Sequence, residues 1–311
     1  MLFVVPDFYD DFHCIAGQCR HSCCIGWEID IDEESFAYYS GIEGEIGQEL
    51  REKTSAGPTP HFILGEKDRC PFLNESGLCR LILSLGEDSL CDICREHPRF
   101  YNEFSDRTEA GLGLCCEEAV RLLLEGDGPL GLLCDDDGGG ESPSPEERAL
   151  FALREKIFSL LNDSSRPLSS CMAACAECCA VSMPDMDMAK WARFYMGLER
   201  LDPAWTDALQ LLADRGGEVV LPDQLDGIKY RRMAAYFVYR HFASAGSPAQ
   251  ASDMLAFVLL STAMVCALEA LGMDCGEALR LYSAEIEYSD ENIGLILNKI
   301  REWRFTFTPT M

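Results

Sequence analysis

Residues Cys70 to Arg99 read C-P-F-L-N-E-S-G-L-C-R-L-I-L-S-L-G-E-D-S-L-C-D-I-C-R-E-H-P-R. The stretch holds four cysteines, Cys70, Cys79, Cys91 and Cys94, the last two as a C-x-x-C pair. Such a pair can chelate one ion from a turn. Upstream lies a second dense group, Cys14, Cys19, Cys23 and Cys24. Thiolates suit zinc and iron–sulfur clusters because both are soft, thiophilic centres. These eight side chains are therefore candidate metal ligands, enough for two four-ligand sites or for one site with spares. Cysteine alone does not choose between zinc and iron–sulfur. The plainer reading is a set of buried free thiols, since cysteine is among the most buried residue types. A C-x-x-C and a Cys-Cys pair in one short region weigh against it. Cys19 and Cys23 stand four apart, so a helix would place them on one face.

The totals narrow the context. At 311 residues the chain can bury a sizeable core, and 48% hydrophobic residues make a globular composition. Net charge is −27, from 53 acidic against 26 basic residues. Such a surface repels phosphate backbones, so no nucleic-acid partner is expected. It favours a basic or lysine-bearing partner, or serves solubility alone. The opening M-L-F-V-V-P-D-F-Y-D-D-F has no basic n-region, so no secretory signal is read and the expected location is cytoplasmic. Met254 to Leu268 is the longest apolar run, short of the about 20 residues that span a bilayer. A buried helix is expected there and no membrane partner. Seventeen cysteines in a cytosolic chain point to metal or redox chemistry rather than to a disulfide framework.

The expected fold class is mainly α with a few short strands: a cysteine-rich, metal-site half followed by a helical half. Residues 1–134 form the cysteine-rich region. Residues 135–147, D-D-D-G-G-G-E-S-P-S-P-E-E, carry six acids and no base and read as a linker or long loop. Residues 148–311 form the helical region. In the first half, Trp27 to Ile31 alternates and suggests a short strand. Asp32 is placed to cap a helix beginning near Glu33. Ser35 to Glu52 reads as helix weakened by Gly41, Gly44 and Gly47. His61 to Leu64 and Phe100 to Phe104 read as extended, and Glu109 to Leu124 carries Cys115-Cys116 into a helix. Beyond the linker, helices are expected at Pro145–Leu161, Leu168–Met183, Met188–Glu199, Pro203–Arg215, Asp226–Ala243, Ser247–Gly272, Gly276–Ile286 and Asn292–Trp303.

Two further groups bear on chemistry. Cys171-x3-Cys175-x2-Cys178-Cys179 matches the C-x3-C-x2-C spacing of radical S-adenosylmethionine (SAM) enzymes. It lies in a helical run, and its positions trace one helix face, so a cysteine-lined packing face is the better reading. After the C-x-x-C comes C-R-E-H-P-R-F-Y, Cys94 to Tyr101. Arg95 and Arg99 are cations beside an anionic thiolate centre and are candidate cofactor-binding residues, able to grip a carboxylate; the alternative is an ordinary ion pair. His97 reads equally as a structural hydrogen-bonder, a ligand or a base. No G-x-G-x-x-G follows a strand, no G-x-x-x-x-G-K-[ST] occurs, and no H-E-x-x-H occurs.

The chain resembles the FliB-type flagellin lysine-N-methylases. The segments that carry the likeness are Pro6 to Asp32, Arg69 to Phe100 and Glu109 to Leu122, with looser matches at Tyr230 to Phe242 and Leu281 to Asn292. The first half also resembles small cysteine-rich proteins described as zinc- or iron-chelating domains. The family's cysteines fall on Cys14, Cys19, Cys23, Cys24, Cys70, Cys79, Cys91, Cys94 and Cys116. Where the family tends to S-C-P-E, this chain has Cys115-Cys116-Glu117-Glu118. The resemblance implies a methyltransferase that uses an iron–sulfur cluster, a [4Fe–4S] centre or alternatively zinc. It implies SAM as methyl donor and flagellin lysines as acceptors. The alternative function is a non-catalytic zinc- or iron-chelating interaction protein. No catalytic residue and no oligomeric state is assigned.

Overall fold

A computed structural model describes residues 1–181, 186–218 and 227–305. The expected helix limits Met183 and Asp226 lie outside those residues. In chain order the strands are β1 (Leu2–Pro6), β2 (Thr54–Ser55), β3 (His61–Phe62), β4 (Arg99–Glu103), β5 (Arg107–Leu112) and β6 (Leu132–Asp136). The shorter helices of the first half are α1 (Glu33–Gly41), α2 (Gly44–Lys53), α3 (Arg80–Leu85), α4 (Asp92–Glu96) and α5 (Glu117–Glu125). There follow α6 (Pro145–Leu161), α7 (Leu168–Cys178), α8 (Met188–Tyr195) and α9 (Pro203–Arg215). Last come α10 (Ile228–His241), α11 (Pro248–Ala270), α12 (Cys275–Tyr282) and α13 (Asp290–Phe305). The fold is mainly α with a few short strands, as the sequence reads. Two compact units divide it: His13–Phe100, and Met1–Phe12 together with Tyr101–Met311.

The smaller unit packs short helices around a core of Ile29, Ile31, Tyr39, Leu50, Phe62, Phe72, Leu73 and Leu81, in which Cys70 and Cys91 are also buried. Asp32 caps α1 as expected, its Oδ1 accepting from the Ser35 amide at 2.8 Å. The expected long helix is two, because the chain turns at Ile42–Glu43 and restarts with Gly44 at φ +80°. Gly47 is required there: a Cβ would stand 1.9 Å from the Ile42 carbonyl oxygen. Arg80 of α3 grips Glu49 of α2 through two hydrogen bonds of 2.6 Å. Trp27 to Ile31 is not a strand; Asp30 makes only an isolated bridge to His61. Alternation there reflects burial of Ile29 and Ile31 without a continuous ladder.

The larger unit is built on α10, which is buried on every side from Tyr230 to His241. The helix remains stable inside because its polar groups find partners. The Tyr239 hydroxyl donates to the Val4 carbonyl at 2.8 Å and lies 2.9 Å from that of Ala110. Tyr236 donates to the Leu112 carbonyl at 2.7 Å. Arg232 holds the Leu123 carbonyl at 2.7 Å and the Asp7 carboxylate at 2.8 Å. These contacts fasten α10 to a four-stranded sheet of order β4-β5-β1-β6. Strand β1 runs parallel to β5 and antiparallel to β6. Neither β1 nor β6 shows in the sequence as alternation, because buried strands read as continuous apolar runs and β6 ends in acids.

Helix α11 lies beside α10. Residues Gln250–Ala270 are long and apolar enough to cross a membrane, with mean hydropathy 1.9, yet 83% of the apolar window is buried inside the protein. Ser261 and Thr262 satisfy themselves on the Phe257 and Val258 carbonyls at 2.8 and 3.0 Å. Helix α6 starts with a capping box, Ser144 with Glu147, behind Pro145.

Candidate metal centre

Short local devices bring the cysteines of the smaller unit together. The Cys24 carbonyl accepts from the Cys70 amide at 2.8 Å, and Gly26 donates to Asp68 at 3.0 Å, which joins the first cysteine group to the second. The Asn74 side chain accepts from the Ser76 and Leu78 amides at 2.9 Å each and closes a tight loop. That loop brings Leu73 and Cys79 into a bridge, three residues after Cys70. Cys91 is the N-cap residue of α4, and Cys94 donates its amide to the Cys91 carbonyl at 3.0 Å. The C-x-x-C is thus the first turn of a helix.

Five thiols share one electrostatic neighbourhood. The charge on Cys24 is felt by Cys70, Cys79 and Cys94, and that on Cys91 by Cys79 and Cys94. A hydrogen bond from the Cys23 thiol draws the Cys24 pKa down to about 7, against burial and with help from Ser22 and the Arg69 cation. Burial pushes Cys70 up to about 12 and raises Cys79 as well. The Cys91 and Cys94 side chains hydrogen-bond each other. Their mutual hydrogen bond lowers Cys91 and, with burial, raises Cys94. The result is two sulfurs inclined to ionise, Cys24 and Cys91, among three held protonated. No disulfide joins the cysteines. Among the described residues no group of three or more Cys, His, Asp or Glu side chains already stands in ion-holding geometry.

Of the other expected site residues, Cys23 adjoins the group through its hydrogen bond to Cys24. Cys14 and Cys23 are exposed and Cys19 is half-buried. The helix face expected for Cys19 and Cys23 is absent; a single 3-10 turn, Ala16–Gln18, gives way to bends. Arg95 pairs with Asp92 and lies 3.6 Å from Glu96, the ordinary ion-pair alternative. Arg99 opens β4 and is half-buried. His97 lies 5.5 Å from the Trp27 ring, and burial lowers its pKa to about 4, so the imidazole is neutral at pH 7. Its Nε2 is buried and makes no hydrogen bond among the described residues. The Cys171 group forms a packing face on α7, as expected: Cys171 and Cys175 are buried, with sulfurs 3.6 Å from the Asp163 carbonyl and 3.8 Å from that of Ile157.

The larger unit holds a polar network that the sequence reading did not single out. Arg154 of α6 forms a bidentate pair with Glu109 of β5, Nη1 to Oε2 at 2.6 Å, with both side chains buried. Glu287 ends a short π-helix, Ser283–Glu287, and meets His241 Nε2 at 2.6 Å and Arg240 Nε at 3.4 Å. Next to it Tyr288 hydrogen-bonds the Cys115 thiol, which burial raises to about 11. Residues from 109–122, 230–242 and 281–292 meet here, three of the stretches on which the family resemblance rests. The signal for it in the sequence is acids and bases inside otherwise apolar segments.

A protein named lysine-N-methylase from Salmonella choleraesuis (strain SC-B67) is 28% identical over 133 residues, covering 38% of this chain and 31% of that protein. The lysine-N-methylase of Salmonella typhimurium is 26% identical with the same coverage. A flagellar biosynthetic protein FliU from Salmonella muenchen is 27% identical over 126 residues, 38% of this chain and 75% of FliU. The chain thus spans about a third of the length of the two methylases it matches. No family model and no solved structure matches. Over somewhat more than a third of its length, the chain is similar to the lysine-N-methylases and FliU, the FliB-type resemblance read from its cysteine segments.

Proposed function

We propose that this chain is a cytoplasmic protein-lysine N-methyltransferase, moving a methyl group from SAM to lysine side chains of flagellin. The observation that carries the reading is the gathering of Cys24, Cys70, Cys79, Cys91 and Cys94 in one electrostatic neighbourhood, in a chain similar to proteins named lysine-N-methylase. In the reaction the methyl carbon leaves the SAM sulfur and bonds to the lysine nitrogen, which sheds a proton. S-adenosylhomocysteine and methyl-lysine are the products.

The donor set fits a thiophilic centre. The thiols are soft, the cluster is largely buried, and Cys24 and Cys91 are inclined to the thiolate that a metal requires. Closing a ligand shell needs side-chain rotation, which a cysteine makes about one bond. Cys24, Cys70, Cys79, Cys91 and Cys94 would hold the group; Cys14, Cys19 and Cys23, exposed or half-buried in the turns that lead to Cys24, would complete a second set. When bound, an iron–sulfur cluster supplies one-electron chemistry, whereas zinc supplies charge and structure. The half-buried surroundings limit water at the sulfurs, and the net charge of −27 draws in a lysine-bearing substrate.

Anaerobic purification with iron, sulfide and zinc assays tests the centre, and a methylation assay on flagellin with SAM tests the activity. The expected result is a brown protein with about four irons per chain that labels flagellin lysines. A metal-loaded protein that leaves flagellin unlabelled would sink the enzyme reading and leave a chelating interaction protein. Zinc without iron would sink the iron–sulfur assignment.

A further inference from the structure

The sheet of the larger unit ends in an open edge. Strand β6 stands last in the order β4-β5-β1-β6. Its ladder with β1 decides which of its backbone groups remain unused. Asp7 donates to the Gly131 carbonyl at 2.9 Å and Asp137 to that of Met1 at 3.4 Å. Hydrogen-bonded pairs alternate with non-bonded ones in an antiparallel ladder. Phe3 with Asp135 and Val5 with Leu133 therefore belong to the bonded set. The intervening Leu132, Cys134 and Asp136 turn their N–H and C=O groups away from β1, to the open side. Residues 133–136 are all exposed. Such a row is a template for one more strand.

The side chains specify which strand. Leu133 and Asp135 point to one face of the sheet, Cys134 and Asp136 to the other. The Asp136 and Asp137 side chains are 60% and 75% exposed; the Met1 ammonium pairs with Asp137 and lies 3.8 Å from Asp136, which leaves Asp136 mostly open to a second cation. No lysine or arginine occurs from Leu130 to Glu147. A second copy of this chain pairing edge to edge would set like charges against like, which is destabilising. A strand carrying bases at successive positions sets a cation opposite each aspartate on its own face.

We propose that β6 is a docking edge for an extended, lysine- or arginine-rich segment of a partner protein. The segment adds as a fifth strand beside β6, with basic side chains opposite Asp135 and Asp136 and an aliphatic one opposite Leu133. The inference rests on the sheet and its charges and not on methyl transfer. Binding without methylation leaves it standing, and methylation without edge binding overturns it alone.

The full chain is titrated with a fluorescent peptide of about eight residues that carries two adjacent lysines flanked by valines, and with a counterpart whose lysines are glutamates. The lysine peptide is expected to bind and to slow amide exchange at Leu132, Cys134 and Asp136, and the glutamate peptide to do neither. Cys134→Pro removes an outward N–H and no bond to β1, so the fold should keep its melting temperature while binding falls at least several-fold. If that variant does not fold, lysine peptides N-methylated at alternate amides, in either register, make the same test. Asp135→Asn with Asp136→Asn should weaken binding and flatten its salt dependence. Equal binding of both peptides, indifference to N-methylation in both registers, or sedimentation showing self-association through β6 would each overturn the proposal.

Discussion

The Asp32 carboxylate accepts the Asp92 backbone amide at 2.9 Å across a separation of 60 residues, while its other oxygen caps α1. One side chain therefore fixes the starts of two helices, and the second begins at the C-x-x-C. Asp32→Ala is expected to cost about 1–2 kcal/mol, because two helix-start amides lose their acceptor. Asp32→Asn should cost less, since an amide oxygen still serves one of them. Urea denaturation of both variants checks this; equal stability of Asp32→Ala and the parent would refute the double cap.

Removing a sulfur from the C-x-x-C should empty the proposed centre. Cys91→Ser and Cys94→Ser are each expected to lower metal content sharply and to destabilise the smaller unit, because a ligand is lost from a coupled set. Cys175→Ala, on the packing face of α7, should leave metal content intact. Elemental analysis of the three proteins decides. Full metal in both serine variants would place the centre elsewhere.

The Arg154–Glu109 pair predicts a double-mutant signature. Arg154→Met leaves a carboxylate that has no exposed surface stranded except for Arg107 Nη1 at 3.9 Å, and should cost about 3–5 kcal/mol. Adding Glu109→Gln should recover a large part of the loss, because the stranded charge is gone. A thermodynamic cycle from denaturant melts measures the coupling. Additive losses would mean that the two charges do not depend on each other.

Acid should loosen the start of α6. Hydrogen bonds from the Ser105 amide, the Ser144 amide and the Ser105 hydroxyl depress the Glu147 pKa from 4.5 to about 2. A depressed carboxylate contributes stability that is present above the unfolded value and is lost as pH falls through the folded one. Melting temperature should therefore drop between about pH 4.5 and pH 2, and Glu147→Gln should flatten part of that limb while costing about 1 kcal/mol at neutral pH. An unchanged acid limb in the variant would count against the capping box as its source.

Tyr239 joins α10 to two strands at once. Tyr239→Phe leaves the Val4 and Ala110 carbonyls short of a donor and should cost about 1–3 kcal/mol. Faster hydrogen exchange in β1 would accompany the loss, and exchange as slow as in the parent would argue that the hydroxyl adds little.

What the sequence by itself determined is what short-range chemistry decides. The Asp32 cap, the proline-led start of α6, the C-x-x-C turn and the helical run of the second half all depend on residues a few positions apart. Cys91 and Cys94 are neighbours because a single turn makes them so. The tertiary structure alone decided which distant groups meet. It set Cys24 beside Cys70, drew Glu109 and Arg154 into one buried pair, and placed β1 next to β5, more than a hundred residues along the chain. It also split the expected Ser35–Glu52 helix, through the close approach of Ile42 to Gly47. The reason is physical: caps and turns are closed by local hydrogen bonds, whereas strand partners, buried ion pairs and thiol clusters are chosen by burial of the whole chain, and many pairings satisfy the same local pattern equally well.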